Sequence, residues 1–165
     1  MTENRGYYLL PQPKEITTRE KEDAMGAYLM MFAAIAAGLP LPIINLIASV
    51  IYYYINKSKS RFVHYHSLHS LFAQIPTSIL NAGLVFWSVR ILLFHYELND
   101  YYIGYVWMVV IANLLYFIFS IIAAVKARKG QFYYFLFFGK LAYQHVFSIR
   151  EDKEQKEIVN VPPAH

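Results

Sequence analysis

Of the fifteen Lys and Arg residues in this chain, all but Arg90 can be gathered on one side of a membrane, and Arg90 alone falls inside an apolar run. Basic clusters alternate with linkers that carry none. Lys57-Ser58-Lys59-Ser60-Arg61 and Lys126-Ala127-Arg128-Lys129 each follow an apolar stretch, whereas the linker from His95 to Asp100 holds Glu97 and Asp100 but no Lys or Arg. Such asymmetry between short loops sets the orientation of membrane helices. It predicts an all-α integral membrane four-helix bundle with N-terminus and C-terminus both cytoplasmic.

Composition supports the class. Hydrophobic residues make up 57% of the 165 residues and aromatic residues 18%, more apolar surface than a soluble domain of this size needs. The absence of cysteine excludes disulfides and thiolate metal sites. A net charge of +4 is compatible with nucleic acid. The basic residues adjoin apolar runs, however, where topology and anionic headgroups account for them, so no nucleic-acid partner is expected. The first apolar run begins near Ala24 behind the mixed-charge stretch Arg19 to Asp23, which lacks the basic n-region of a cleavable signal. The first helix is therefore expected to remain as an anchor.

Residues 1–16, with Pro11 and Pro13, read as a flexible N-terminal tail. The transmembrane domain is expected over 17–148, with helices at about 18–38, 43–56, 64–95 and 101–128. Thr17-Thr18-Arg19-Glu20 fits a capping box that starts the first helix. Ala33 with Ala37, and Ala34 with Gly38, offer small-residue contacts for a neighbouring helix. Pro40 and Pro42 then force a hairpin. Its second arm is an apolar run of only 13 residues. That is about 20 Å of helix against a hydrocarbon core of roughly 30 Å, so the bilayer must thin or the flanks must snorkel. Tyr52, Tyr53 and Tyr54 suit a headgroup belt, and Pro76 should kink the third helix. The aromatic run Phe132 to Phe138 is too short to span, which makes 131–148 an interfacial segment after the fourth helix. Residues 149–165 form a charged C-terminal tail.

Polar residues recur at helical spacing inside the expected spans. Gln74, Ser78 and Asn81 share a face of the third helix with Ser67, Ser70 and Ser88. Asn45 and Ser49 mark the second helix, and Asn113 and Ser120 the fourth. Groups like these seek partners in lipid, either as interhelical hydrogen bonds or as the lining of a hydrophilic pathway. Lys57, Lys59, Arg61, His66, Arg90, Lys126, Arg128 and Lys129 are the candidates for contact with headgroups or a partner protein. His64, His66 and His69 invite a metal reading, but helical geometry turns His64 away from the other two and no carboxylate lies nearby. No metal and no cofactor are expected. The chain contains no G-x-S-x-G elbow, Walker loop or H-E-x-x-H motif, and carboxylates are excluded from the spans, so no enzymatic activity is expected.

Several stretches together resemble a known family. They are Thr18-Arg19-Glu20-Lys21, Pro42-Ile43-Ile44-Asn45-Leu46-Ile47, Phe62-Val63-His64-Tyr65-His66 with Leu71 and Gln74, and the run Ile122 to Tyr133. The likeness is to small bacterial multi-pass membrane proteins related to the twenty-kilodalton subunit of the chloroplast inner-envelope import translocon, the Tic complex. Ser70 and Phe72 depart from that pattern. The resemblance implies a four-helix membrane fold and membership of a larger complex. The resulting expectation is a non-enzymatic accessory subunit of a bacterial inner-membrane complex linked to protein export or translocation. Other integral membrane proteins and lipids would be its partners. The alternative is a small channel or carrier lined by the polar residues of the second, third and fourth helices.

Overall fold

The computed structural model describes residues 6–33, 42–94 and 97–149. Among them five α-helices carry the fold: α1 Thr18–Leu29, α2 Pro42–Asn56, α3 Arg61–Phe94, α4 Asp100–Arg128 and α5 Leu136–Phe147.

The capping box starts α1. The Thr17 hydroxyl accepts from the Glu20 amide at 3.3 Å, and the Glu20 carboxylate accepts from the Thr17 amide at 2.8 Å and from its hydroxyl at 2.7 Å. These bonds, the Thr17 hydroxyl first, hold the Glu20 carboxyl below the usual range. A carboxyl with a depressed folded-state pKa stabilises the fold above its unfolded pKa, and that stability is lost as pH falls through the folded value. Acidification below about pH 4 should therefore remove the contribution of this cap. Glu20→Gln should abolish that component of a melting-temperature profile. An unchanged acid limb would show that the cap is not coupled to folding.

α1 passes at Leu29 into a 3-10 turn, Met30–Phe32, with helical structure again at Ala33; the expected end of the first helix near residue 38 lies outside the described residues. The small-residue contacts expected at Ala34, Ala37 and Gly38, and the Pro40 turn, lie outside the described residues. Instead, Ala24 and Ala27 of α1 and Ala123, Ala124 and Ala127 of α4 are buried, and Ala24 shares one apolar cluster with the three alanines of α4. Residues this small let the two backbones approach closely.

α3 is 34 residues long, which is about 50 Å and well beyond a hydrocarbon core. It runs through Pro76 and divides into two environments. Its first part, Phe62 to Gln74, is largely buried against α1 and α5. Its second part exposes Ile79, Phe86 and Leu92, and only 6% of its most apolar 18-residue window is buried. α3 and α4 are each long and apolar enough to cross a membrane, while α2 is apolar but shorter.

α4 closes on a Schellman turn. The Gly130 amide donates to the Ala127 carbonyl and the Gln131 amide to the Lys126 carbonyl, both at 2.9 Å. Gly130 takes φ +73°, a left-handed conformation that suits glycine. The chain beyond it turns back into the molecule. The segment expected to lie along the interface instead sends Phe132 against Phe62 and Tyr65, then forms α5, which packs on α3. Residues 6–16, within the stretch expected as a flexible tail, hold defined positions. The Tyr8 amide donates to the Phe147 carbonyl and the Ile149 amide to the Gly6 carbonyl, each at 2.8 Å, around a bridge between Tyr7 and Ser148. Ile16 is buried in the α1–α4 cluster.

Candidate functional site

Among the described residues, the most enclosed polar group lies where α1 meets the first part of α3. His66 and His69 are one turn apart and face the same way, toward Tyr28 of α1. The Tyr28 hydroxyl is 2.9 Å from His66 Nδ1 and 2.8 Å from His69 Nδ1. All three side chains are buried, at 3%, 0% and 1% exposure. A hydroxyl has one hydrogen, so it donates to one ring and must accept from the other. For neutral imidazoles this forces different tautomers, one carrying its hydrogen on Nδ1 and the other on Nε2. Aromatic rings complete the enclosure: Phe62 stands edge-on to His66 with centroids 4.5 Å apart, and Phe132 stacks on it at 5.7 Å. Ser70 adds a second tie to α1, donating to the Ala27 carbonyl at 2.8 Å.

His64 points elsewhere, as helical spacing requires. Its Nε2 lies 3.2 Å from the Tyr53 hydroxyl, and its ring faces His145 of α5. Among the described residues, no three His, Cys, Asp or Glu side chains gather in a way that could hold a metal ion.

The polar stripe is distributed between two helix contacts. Ser49 of α2 donates to the Gln74 side-chain oxygen of α3. Asn81 and Asn113 exchange two hydrogen bonds, at 3.0 and 3.1 Å, and thereby join α3 to α4. Farther along, Ser88 meets the Tyr102 hydroxyl at 2.8 Å, and Tyr105 donates to the Leu80 carbonyl at 2.9 Å. Ser78 and Ser120 are buried, and Asn45 is half-buried on α2.

The basic residues are placed unevenly. Lys59 pairs with Asp23 at 2.8 Å and Arg128 with Glu22 at 2.7 Å, which brings the α2–α3 loop and the end of α4 to the start of α1. Arg61 lies 3.3 Å above the Tyr8 ring and Lys57 4.4 Å above the Tyr54 ring. Lys126 and Lys129 are exposed. Arg90 lines a cleft of about 460 Å³ with Phe86, Trp87, Glu97, Asn99 and Tyr105, at the opposite end of α3.

Two expectations are corrected. His66 was placed among headgroup or partner contacts, but it is fully enclosed because Tyr28 satisfies its ring nitrogen from inside the fold. The tyrosine belt of α2 is also reduced. Tyr52 turns inward to donate to the Asp23 carbonyl at 2.7 Å and Tyr53 to meet His64, which leaves Tyr54 exposed. Tyr28 itself was missed. A tyrosine in a short helix carries no distinguishing signal until its partners, 38 and 41 residues away, are known.

No curated protein and no solved structure matches this chain. The model of the MamF/MmsF family, described as the magnetosome magnetite crystal formation protein family, matches residues 21–142, from the first turn of α1 into α5. This overturns the resemblance to relatives of the chloroplast import translocon. The stretches behind that resemblance lie mostly within the matched residues. From the matched extent, the chain belongs to the magnetosome magnetite crystal formation protein family.

Proposed function

We propose that this protein is a non-enzymatic, multi-pass component of the magnetosome membrane that supports magnetite crystal formation as part of a larger membrane assembly. The family assignment carries this reading. Its membrane setting is supported by the apolar exteriors of α3 and α4, in whose most hydrophobic stretches only 6% and 22% of residues are buried. A role in protein export is not retained, since the family assignment replaces the likeness that suggested it.

In the proposed arrangement, α1 and α2 form a short hairpin beside the long pair α3 and α4, as a four-helix bundle. Both chain ends and the enclosed Tyr28–His66–His69 group lie on the cytoplasmic side. The turn carrying Glu97, Asn99 and Asp100 faces the mineral compartment. Supporting this orientation, the basic clusters at 57–61 and 126–129 come together at one end through their pairs with Asp23 and Glu22. A channel or carrier is the weaker reading, because Asn81 and Asn113 use their amides on each other and Ser49 is spent on Gln74.

Single cysteines test the arrangement in isolated, intact magnetosomes. Lys57→Cys should react with a membrane-impermeant reagent at once, and Leu98→Cys only after permeabilisation. Reaction of both from outside would refute the proposed topology. The role is tested in cells: loss of the protein should alter crystal size or number, and unchanged crystals would sink the functional reading.

A further inference from the structure

We propose that a single internal water molecule is bound where α1, α3 and α4 meet, held by His69 Nε2 and the hydroxyls of Tyr116 and Ser120. It would complete a hydrogen-bonded chain running from His66 through Tyr28 and His69 to α4.

Three observations converge on the same place. A cavity of about 10 Å³ is lined by Tyr28, His69, Ala73, Tyr116, Ser120 and Phe135. That is room for about one water molecule, and a buried water needs 2–4 polar partners. Two of the lining residues bring fully enclosed polar atoms without a hydrogen-bond partner, His69 Nε2 and the Tyr116 hydroxyl. Ser120, one turn along α4 and itself buried, lines the same cavity, as does Phe135.

The tautomer constraint favours water over a fixed side chain. Because Tyr28 makes the two histidines adopt different tautomers, His69 Nε2 is a donor in one arrangement and an acceptor in the other. Water serves either. A cation is disfavoured: it would bind only the acceptor arrangement, and the lining holds no carboxylate to offset its charge.

The full-length protein in detergent provides the test, with thermal unfolding as readout. If the water is present, Tyr116→Phe removes one of its partners and should lower the melting temperature by about 2–4 °C. A rise on the same change would show a dry cavity and overturn the proposal. Ser120→Ala should also lower it, and the double variant should fall by less than the sum, because both changes act on one shared molecule. Additive effects would overturn the proposal. Melting should be unchanged by a chelator, and a chelator-dependent fall would identify a metal ion instead. A high-resolution structure should show one water-sized peak within hydrogen-bonding distance of His69 Nε2, and no peak there would overturn the proposal.

Discussion

Tyr28→Phe should destabilise this protein more than any other loss of a single oxygen. The substitution keeps the ring, so it creates almost no cavity, and the whole effect comes from hydrogen bonding. Both His66 Nδ1 and His69 Nδ1 lose their partner inside a site that excludes solvent. A buried polar group left unsatisfied costs about 1–3 kcal/mol, and here two rings are affected. Native stability is typically about 5–15 kcal/mol, so a large part of it is at stake. The measurement is thermal or denaturant unfolding of the solubilised protein. Removing one orphaned partner as well, with His66→Leu in the Tyr28→Phe background, should restore part of the loss, because replacing both partners of a bond by apolar groups approaches neutrality. Parent-like melting of Tyr28→Phe alone would show that the shared hydroxyl does not hold α1 to α3.

Gly139→Val should be the second large effect, and its cause is steric. A Cβ at this position would lie 2.7 Å from the Tyr134 Cα and 3.2 Å from the Tyr65 hydroxyl. The first neighbour is backbone and cannot rotate away. The second is anchored by its hydrogen bond to the Tyr133 carbonyl at 2.9 Å. The helix must therefore move, and Ala142, Val146 and Phe147 lose their packing on Tyr65 and Leu68. The cost should reach about 3 kcal/mol, the upper part of the range for overpacked cores. Hydrogen exchange of the α5 amides should accelerate while that of the outer part of α4 is unchanged. Gly104→Val serves as the control, since nothing lies within 4 Å of a Cβ there. Equal effects at the two glycines would refute the close approach of α5 to α3.

Much of the helical layout was legible in the residues. The α3 and α4 boundaries follow from long apolar runs ended by charge, and α1 begins at the capping box that Thr17 and Glu20 announce. The residues of the polar stripe were legible as well, but not their pairing. Asn81 and Asn113 meet only because α3 and α4 run side by side at one particular register. The enclosed histidines were misjudged for a physical reason. A segment with Lys57, Lys59 and Arg61 before it and Phe62, Tyr65 and Phe72 within it has the composition of a membrane interface. It also has the composition of an aromatic core rimmed by charge, and only tertiary contacts with α1 and α5 decide between the two. The packing of the 131–148 segment on α3 was not legible either, because its aromatic density suits lipid and protein equally well.

The pairing of residues 7 and 148 has a consequence for biosynthesis. A contact between positions so distant in sequence cannot form until the later one has been made. The early-synthesised Tyr7 and Tyr8 must wait until Phe147 and Ser148 have left the ribosome. Helices α3 and α4, each long and apolar enough to cross a membrane, emerge earlier, but the enclosure around α5 is sealed last, after translation has passed its final turn. Nascent chains arrested before α5 should thus be open at that end, with Tyr65 and Leu68 still uncovered.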